Sequence, residues 1–168
     1  VLLVDAANVV GSRPTGWWRD RPGAARQLCT EVAEALVTGR LDPPVVVVLE
    51  GRARLGAPTE LPPGMLVVTT QGSGDDALVG LTRLIRQRGL VGPLAQLEAG
   101  PATSGESPTD GPAPRAVVCV SADRALADRI LALGGQVVGP SWLWARLSAR
   151  TLAQVQGGPA TRTARPGH

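Results

Sequence analysis

Val1-Leu2-Leu3-Val4-Asp5-Ala6-Ala7-Asn8 opens the chain: an apolar run passes straight into an aspartate, and an asparagine follows three positions on. The pattern recurs. Val45-Val46-Val47-Val48-Leu49 runs into Glu50, and Ala116-Val117-Val118-Cys119-Val120 leads through Ser121-Ala122 to Asp123. Between them, Met65-Leu66-Val67-Val68 is followed by Gly72-Ser73-Gly74-Asp75-Asp76. Short apolar runs rich in β-branched residues read as buried strands. Each of these delivers carboxylates just past its C-terminal end. In a parallel sheet those ends lie along one edge, where open α/β folds place their sites. A carboxylate cluster on that edge points to a divalent metal.

The segments between the strands read as helices and loops. Residues 11–20 form a loop rich in Gly, Pro and Trp. A helix is expected from about Pro22 to Thr38, with Asp20 as its cap, proline in its first turn and Leu28, Val32, Ala35 and Leu36 at helical spacing. Asp42-Pro43-Pro44 stops it before the second strand. Residues 51–64 read as a loop, and a strand is expected at 65–69. A helix from about Asp75 to Arg88 has Leu78, Leu81, Leu84 and Ile85 on its apolar face. Residues 92–115 are rich in Ala, Gly, Pro, Ser and Thr and lack apolar periodicity, which predicts a flexible insertion within one domain. After the strand at 116–120 come a helix at about 124–133, a short strand at Gln136-Val137-Val138 and a final helix from Pro140 to about Ser148. The expected domain spans 1–150, and 151–168 reads as a disordered tail. Alternation of strand and helix predicts a three-layer α/β/α fold with a mainly parallel central sheet.

Composition narrows the chemistry. At 168 residues the chain is long enough for one domain with a real core. All 17 basic residues are arginine against 14 acids, a net charge of +3 that permits nucleic-acid binding without demanding it. The only histidine is the last residue, His168. That excludes Ser-His-Asp and Cys-His catalysis, histidine-based RNA cleavage and His-ligated metal centres. Cys29 and Cys119 have no metal-ligand spacing and read as small core residues. No segment reaches the run of about 20 apolar residues that spans a bilayer. The start lacks the basic leader and cleavage site of a signal peptide, and the missing initiator methionine points to a processed or trimmed start. The cytoplasm is the expected compartment.

Acid–base work therefore falls to carboxylates, arginine or metal-bound water. Two ionised carboxylates about 5 Å apart repel by roughly 3 kcal/mol at an effective dielectric near 20. Three or four together need a cation or a shared proton. With oxygen ligands alone, hard ions fit best, meaning Mg²⁺ or Mn²⁺. Such ions activate water and neutralise phosphoryl charge, so phosphodiester hydrolysis is the sharp expectation.

Each acid also has a plainer reading. Asp75 and Asp76 suit the first turn of a helix through its macrodipole. Glu50 could pair with Arg52 or Arg54, Asn8 could hold the loop after the first strand, and Ser121 could serve a turn. Beside the acids, Ser12, Arg13, Trp17, Trp18 and Arg19 form an arginine- and tryptophan-bearing loop suited to stacking bases and holding phosphates. Packing under the loop and over the helix start is the plainer role for those tryptophans. Arg52, Arg54 and Arg124 follow strands at the same edge, whereas Trp142 and Trp144 read as packing from the final helix.

The set Leu3-Val4-Asp5-Ala6-Ala7-Asn8, Gly74-Asp75-Asp76-Ala77-Leu78 and Val120-Ser121-Ala122-Asp123-Arg124 resembles the PIN-like superfamily, and within it the NYN domains and their YacP-like relatives. The likeness covers about residues 1–140, in order. It implies a Mg²⁺- or Mn²⁺-dependent ribonuclease that hydrolyses phosphodiesters with metal-activated water. It further implies Asp5, Asp75 and Asp123 as catalytic metal ligands, with Glu50 and Asp76 in the same metal site. Asn8, Ser121 and Arg124 would join the loop residues as substrate contacts, with RNA as partner. Two departures stand out: the middle helix carries no further acid after Asp76, and the 92–115 insertion lies outside the family's pattern.

Other readings use the same acids. A nucleotide or nucleoside-triphosphate phosphohydrolase would act on a shorter substrate, and a non-catalytic RNA-binding module would keep the fold without the metal. A toxin-type role with an antitoxin partner has no specific sequence support. A haloacid-dehalogenase-like phosphatase is disfavoured because Ala7 stands where that chemistry wants a second aspartate. A dinucleotide site is disfavoured because no Gly-x-Gly-x-x-Gly follows the first strand.

Overall fold

The computed structural model describes residues 1–89 and 115–149. Most of the expected insertion at 92–115 and the expected tail at 151–168 lie outside the described residues. In chain order the elements are β1 (Leu2–Asp5), α1 (Ala6–Gly11), α2 (Arg21–Val37), β2 (Val45–Glu50), a 3-10 segment (Gly51–Gly56), β3 (Met65–Thr70), α3 (Gly74–Arg88), β4 (Val118–Val120), α4 (Arg124–Ala132), β5 (Gln136–Val138) and α5 (Pro140–Ser148).

The sheet runs in the order β3-β2-β1-β4-β5, and every pairing is parallel. Leu2, Leu3 and Val4 align with Val45, Val46 and Val47 on one side and with Val118, Cys119 and Val120 on the other. Central strands buried on both faces need unbroken apolar runs, which the valine run of β2 supplies.

Side-chain alternation divides the core in two. Leu2, Val4, Val45, Val47 and Leu49 pack against α1, α2 and α5 through Val9, Leu28, Val32 and Leu143. Leu3, Val46, Val48 and Cys119 pack against α3 and α4 through Leu78, Ile85, Leu126 and Ile130. This is the expected three-layer α/β/α fold with a parallel sheet. Among the described residues, no helix is long and apolar enough to cross a membrane.

Two local features differ from expectation. A helix, α1, follows β1 directly over Ala6–Gly11, where the sequence reading has only the loop after the first strand and no helix before Pro22. Asp5 caps it, its side chain accepting from the Asn8 N–H. The expected loop after β2 begins as the 3-10 segment, which lies against the start of α2. A Cβ on Gly56 would collide with the Pro22 carbonyl, so only glycine permits that approach.

Cys29 and Cys119 are free and buried, and burial pushes their thiols up to about 11 and about 12. Both are core residues, as expected.

Candidate active site

The chain runs from β1 to β2 to β3 in one direction, then returns to place β4 and β5 on the other side of β1. The reversal falls between β1 and β4, and crevices at such switch points hold ligands in open α/β sheets. Asp5 ends β1, and Ser121 and Asp123 follow β4, so the switch point is lined by the residues the sequence singles out.

Asp5 is only 8% exposed and is held on both oxygens. Its Oδ1 accepts from the Asn8 backbone N–H at 3.1 Å, and its Oδ2 accepts from the buried Ser121 hydroxyl at 2.9 Å. Ser121 Oγ in turn accepts from the Asp123 N–H at 3.1 Å. Asn8 Oδ1 accepts from the Ala122 N–H at 2.8 Å, which ties α1 to the loop after β4. Asp123 caps α4, its Oδ1 accepting from the Leu126 N–H at 2.9 Å.

Glu50 and Asp75 approach from β2 and α3. Glu50 accepts from the Gly74 N–H at 2.5 Å, which fixes the start of α3 to the end of β2. The expected alternative, a pairing of Glu50 with Arg52 or Arg54, is absent among the described residues. A Cβ on Gly74 would stand 3.0 Å from the Glu50 carboxylate, a tight contact to which that side chain would have to yield by a few tenths of an ångström. Asp75 is the second residue of α3, whose cap is Ser73.

The acids sense one another. Burial pushes the Asp5 carboxyl up, and repulsion from Asp75 and Glu50 adds to it, against the lowering effect of the Asn8 N–H and the Ser121 hydroxyl. Burial also raises Asp75, with further repulsion from Asp123, Glu50 and Asp76 and relief from Arg129. Asp5, Glu50, Asp75 and Asp123 thus share one field.

Asp76 points elsewhere: it is exposed and pairs with Arg129 of α4 at 2.6 Å. Among the described residues, no group of three or more His, Cys, Asp or Glu side chains is arranged to hold a metal ion as it stands. The donor set still fits Mg²⁺ in kind. That ion usually takes one or two carboxylates, with water and substrate phosphate completing the shell. The oxygens here are hard, and their mutual repulsion favours a cation between them.

The arginine–tryptophan loop divides. Ser12 donates to the Val9 carbonyl at 2.6 Å and accepts from the Trp144 indole N–H at 3.0 Å. Arg13 stacks on Trp144 at 3.6 Å. Both therefore join α1 to α5, and the structure gives them packing roles not evident in the sequence. Trp17, Trp18 and Arg19 stay beside the start of α2 and the 3-10 segment. Trp18 is 56% exposed and meets Trp17 edge to face. Arg124 is exposed on the first turn of α4. Arg21, the third arginine of the loop Arg13–Arg21 that the sequence suggests for holding phosphates, and Ala53, which sequence reasoning passed over, wall a cavity beside the carboxylates with Trp17 and Glu50.

Comparison with known proteins shows a likeness of fold. The fold matches that of Rae1 (YacP). The crystal structure of that Bacillus subtilis protein is 14% identical, with a TM-score of 0.53 over 87% of this chain and 72% of the other. At that identity the likeness concerns the fold, and it agrees with the YacP-like resemblance read from the three motifs. No protein-family model and no curated protein matches the sequence.

Proposed function

We propose that this chain is a Mg²⁺- or Mn²⁺-dependent ribonuclease that hydrolyses RNA phosphodiester bonds at the β1/β4 switch point. The observation that carries this reading is the shared field of Asp5, Glu50, Asp75 and Asp123 at that edge. Its fold supports it, being that of Rae1 (YacP).

Asp5, Asp75 and Asp123 would hold the cation, with Glu50 beside them and Asp76 on the periphery. When bound, such an ion supplies charge neutralisation at phosphoryl oxygens and a nucleophile from water at neutral pH. The chain's own groups do the positioning. Ser121 and the Asn8 N–H lock the Asp5 carboxylate, and Asn8 Oδ1 with Ser121 Oγ sets the loop that presents Asp123. The Glu50–Gly74 link fixes where α3 delivers Asp75. Trp17, Trp18 and Arg19, with Arg124 across the site, would receive the strand.

Cleavage of a mixed RNA pool with and without Mn²⁺ tests this. Asp5→Asn is expected to lower the metal-dependent rate by about a hundredfold or more while leaving RNA binding intact. Wild-type protein that spares RNA but releases phosphate or pyrophosphate from nucleotides would shift the assignment to a nucleotide phosphohydrolase. Protein that does neither and binds no Mg²⁺ or Mn²⁺ would end the enzyme reading.

A further inference from the structure

Arg19, Arg21 and Arg52 line one cavity of about 430 Å³ with Trp18, Asp20 and Pro22, where the 3-10 segment meets the start of α2. Several arginines elsewhere are committed within the fold. Arg40 donates to three carbonyls around the end of α5, and Arg13 and Arg146 stack on tryptophans. Arg54 donates to the Gly51 carbonyl, and Arg129 pairs with Asp76. Arg19, Arg21 and Arg52 are exposed and make no hydrogen bond or ion pair among the described residues. The single acid of that wall, Asp20, is engaged as the α2 cap and accepts from the Gly23 N–H. Three guanidiniums against one carboxylate leave the cavity positive, which attracts a polyanion. Trp18 borders the same space and is 56% exposed, so its ring presents surface to solvent. Arg21 connects this space to the catalytic edge. It also walls the smaller cavity that Glu50 lines, and Glu50 is close enough to Asp5 and Asp75 to raise both.

We propose that the Arg19–Arg21–Arg52 cavity, with Trp18, anchors single-stranded RNA by its phosphates and one stacked base, without regard to sequence. That the anchored strand is then cut rests on the ribonuclease reading; the binding itself does not. A guanidinium offers paired N–H donors that match phosphate oxygens. Trp18 takes any base, because every base has a π-face. A base stacked within a duplex has no face free, so the anchor favours single strands. The carboxylate edge is itself anionic and repels RNA while no cation is bound. The three arginines lie to one side of it and hold the strand with or without metal. Affinity thus belongs to the arginines and turnover to the carboxylates.

The test is an anisotropy titration in chelator, with a labelled oligouridylate of about ten nucleotides, across a series of salt concentrations. Arg19→Ala and Arg52→Ala remove exposed side chains that hold nothing in the fold. Each should flatten the slope of log K against log salt by about 0.7, the value of one phosphate contact on a single strand. Trp18→Ala should weaken binding about fivefold or more. Arg83 is exposed on α3, across the sheet from α2, so Arg83→Ala removes the same charge elsewhere and should leave the slope unchanged. Oligocytidylate should match oligouridylate. No binding, duplex RNA of the same length bound as tightly, or an equal loss of slope in Arg83→Ala overturns the proposal. Displacement by oligoglutamate as effective as by unlabelled RNA also overturns it and makes an acidic peptide the ligand. With Mn²⁺, Arg52→Ala should raise KM and leave kcat unchanged. If the slopes fall as expected but wild-type protein cleaves no RNA, the ribonuclease reading fails and the anchor stands. If wild-type protein cleaves RNA while both arginine variants bind like it, the anchor alone fails.

Discussion

The Ser121 hydroxyl donates to Asp5 Oδ2 across 2.9 Å, joining the ends of β1 and β4 inside the crevice where the sheet order reverses. Both residues are buried, so neither has water as a ready substitute partner. Ser121→Ala removes a donor to a carboxylate and also the acceptor of the Asp123 N–H. It should cost about 2 kcal/mol in chemical denaturation. Because that hydroxyl lowers the Asp5 carboxyl, its loss raises it further, and the acidic limb of kcat/KM moves to higher pH. An unchanged limb together with unchanged stability would refute the coupling.

Asp5 and Asp75 both hold protons more tightly in the folded chain than at their ordinary value of 3.8. The sign follows by linkage. Their contribution to stability is fully present below about pH 3.8 and is lost as pH rises through the raised folded values. Metal-free protein at neutral pH therefore carries a penalty at this edge. Asp75→Asn should melt higher than wild type at pH 7 in chelator, and the gap should close as pH falls towards 4. Mn²⁺ at pH 7 should raise the wild-type Tm and shift the variant's less. Calorimetry across that range, with chelator and with Mn²⁺, measures all four limbs. A variant that melts below wild type at pH 7 would contradict the repulsion.

How far these residues were legible beforehand depends on what each one touches. β1, β2 and β5 and the helices α2 to α5 were visible because burial on one face or both imposes a period that the residues repeat. Asp20 was legible as the α2 cap and accepts the Gly23 N–H as expected. The α1 helix was not legible: Val9, Val10 and Gly11 are poor helix formers, and tertiary packing of Val9 overrides them. The signal was nonetheless present, since the same Asp5-x-x-Asn8 that suggested a metal motif is also a helix cap. β4 proved shorter than the apolar run 116–120, because pairing with β1 and β5 spans only Val118–Val120. Ser12 and Arg13 could not be separated from Trp17 and Trp18 by type. Only the arrival of Trp144 from more than a hundred residues away assigns them to packing.

Asp76 and Arg129 form an ion pair at 2.6 Å with both side chains well exposed. Exposed pairs contribute little, so Asp76→Asn should cost under about 1 kcal/mol. The same geometry commits the carboxylate to Arg129, and its repulsion of Asp75 is the weakest of those that raise that residue. Mn²⁺ affinity measured by titration calorimetry should stay within about fivefold of wild type, the equivalent of that same energy. A loss beyond that factor, matching the loss in Asp75→Asn, would make Asp76 a ligand.

Asn8 bridges two parts of the site, its side-chain oxygen accepting the Ala122 N–H at 2.8 Å while its own N–H holds Asp5. Asn8→Ala keeps the second bond and removes the first. The Ala122 N–H is exposed, so water can replace the lost acceptor and the stability cost should be about 1 kcal/mol. The effect on catalysis should be larger than that cost implies. The loop from Ser121 to Asp123 would then lose its tie to α1, and Asp123 would sample positions off the productive one. Positioning losses appear in turnover more than in binding. Kinetics on a defined RNA should show kcat falling about tenfold or more with KM nearly unchanged. If KM rises instead while kcat holds, Asn8 contacts the substrate directly, and its bond to the Ala122 N–H is incidental to catalysis.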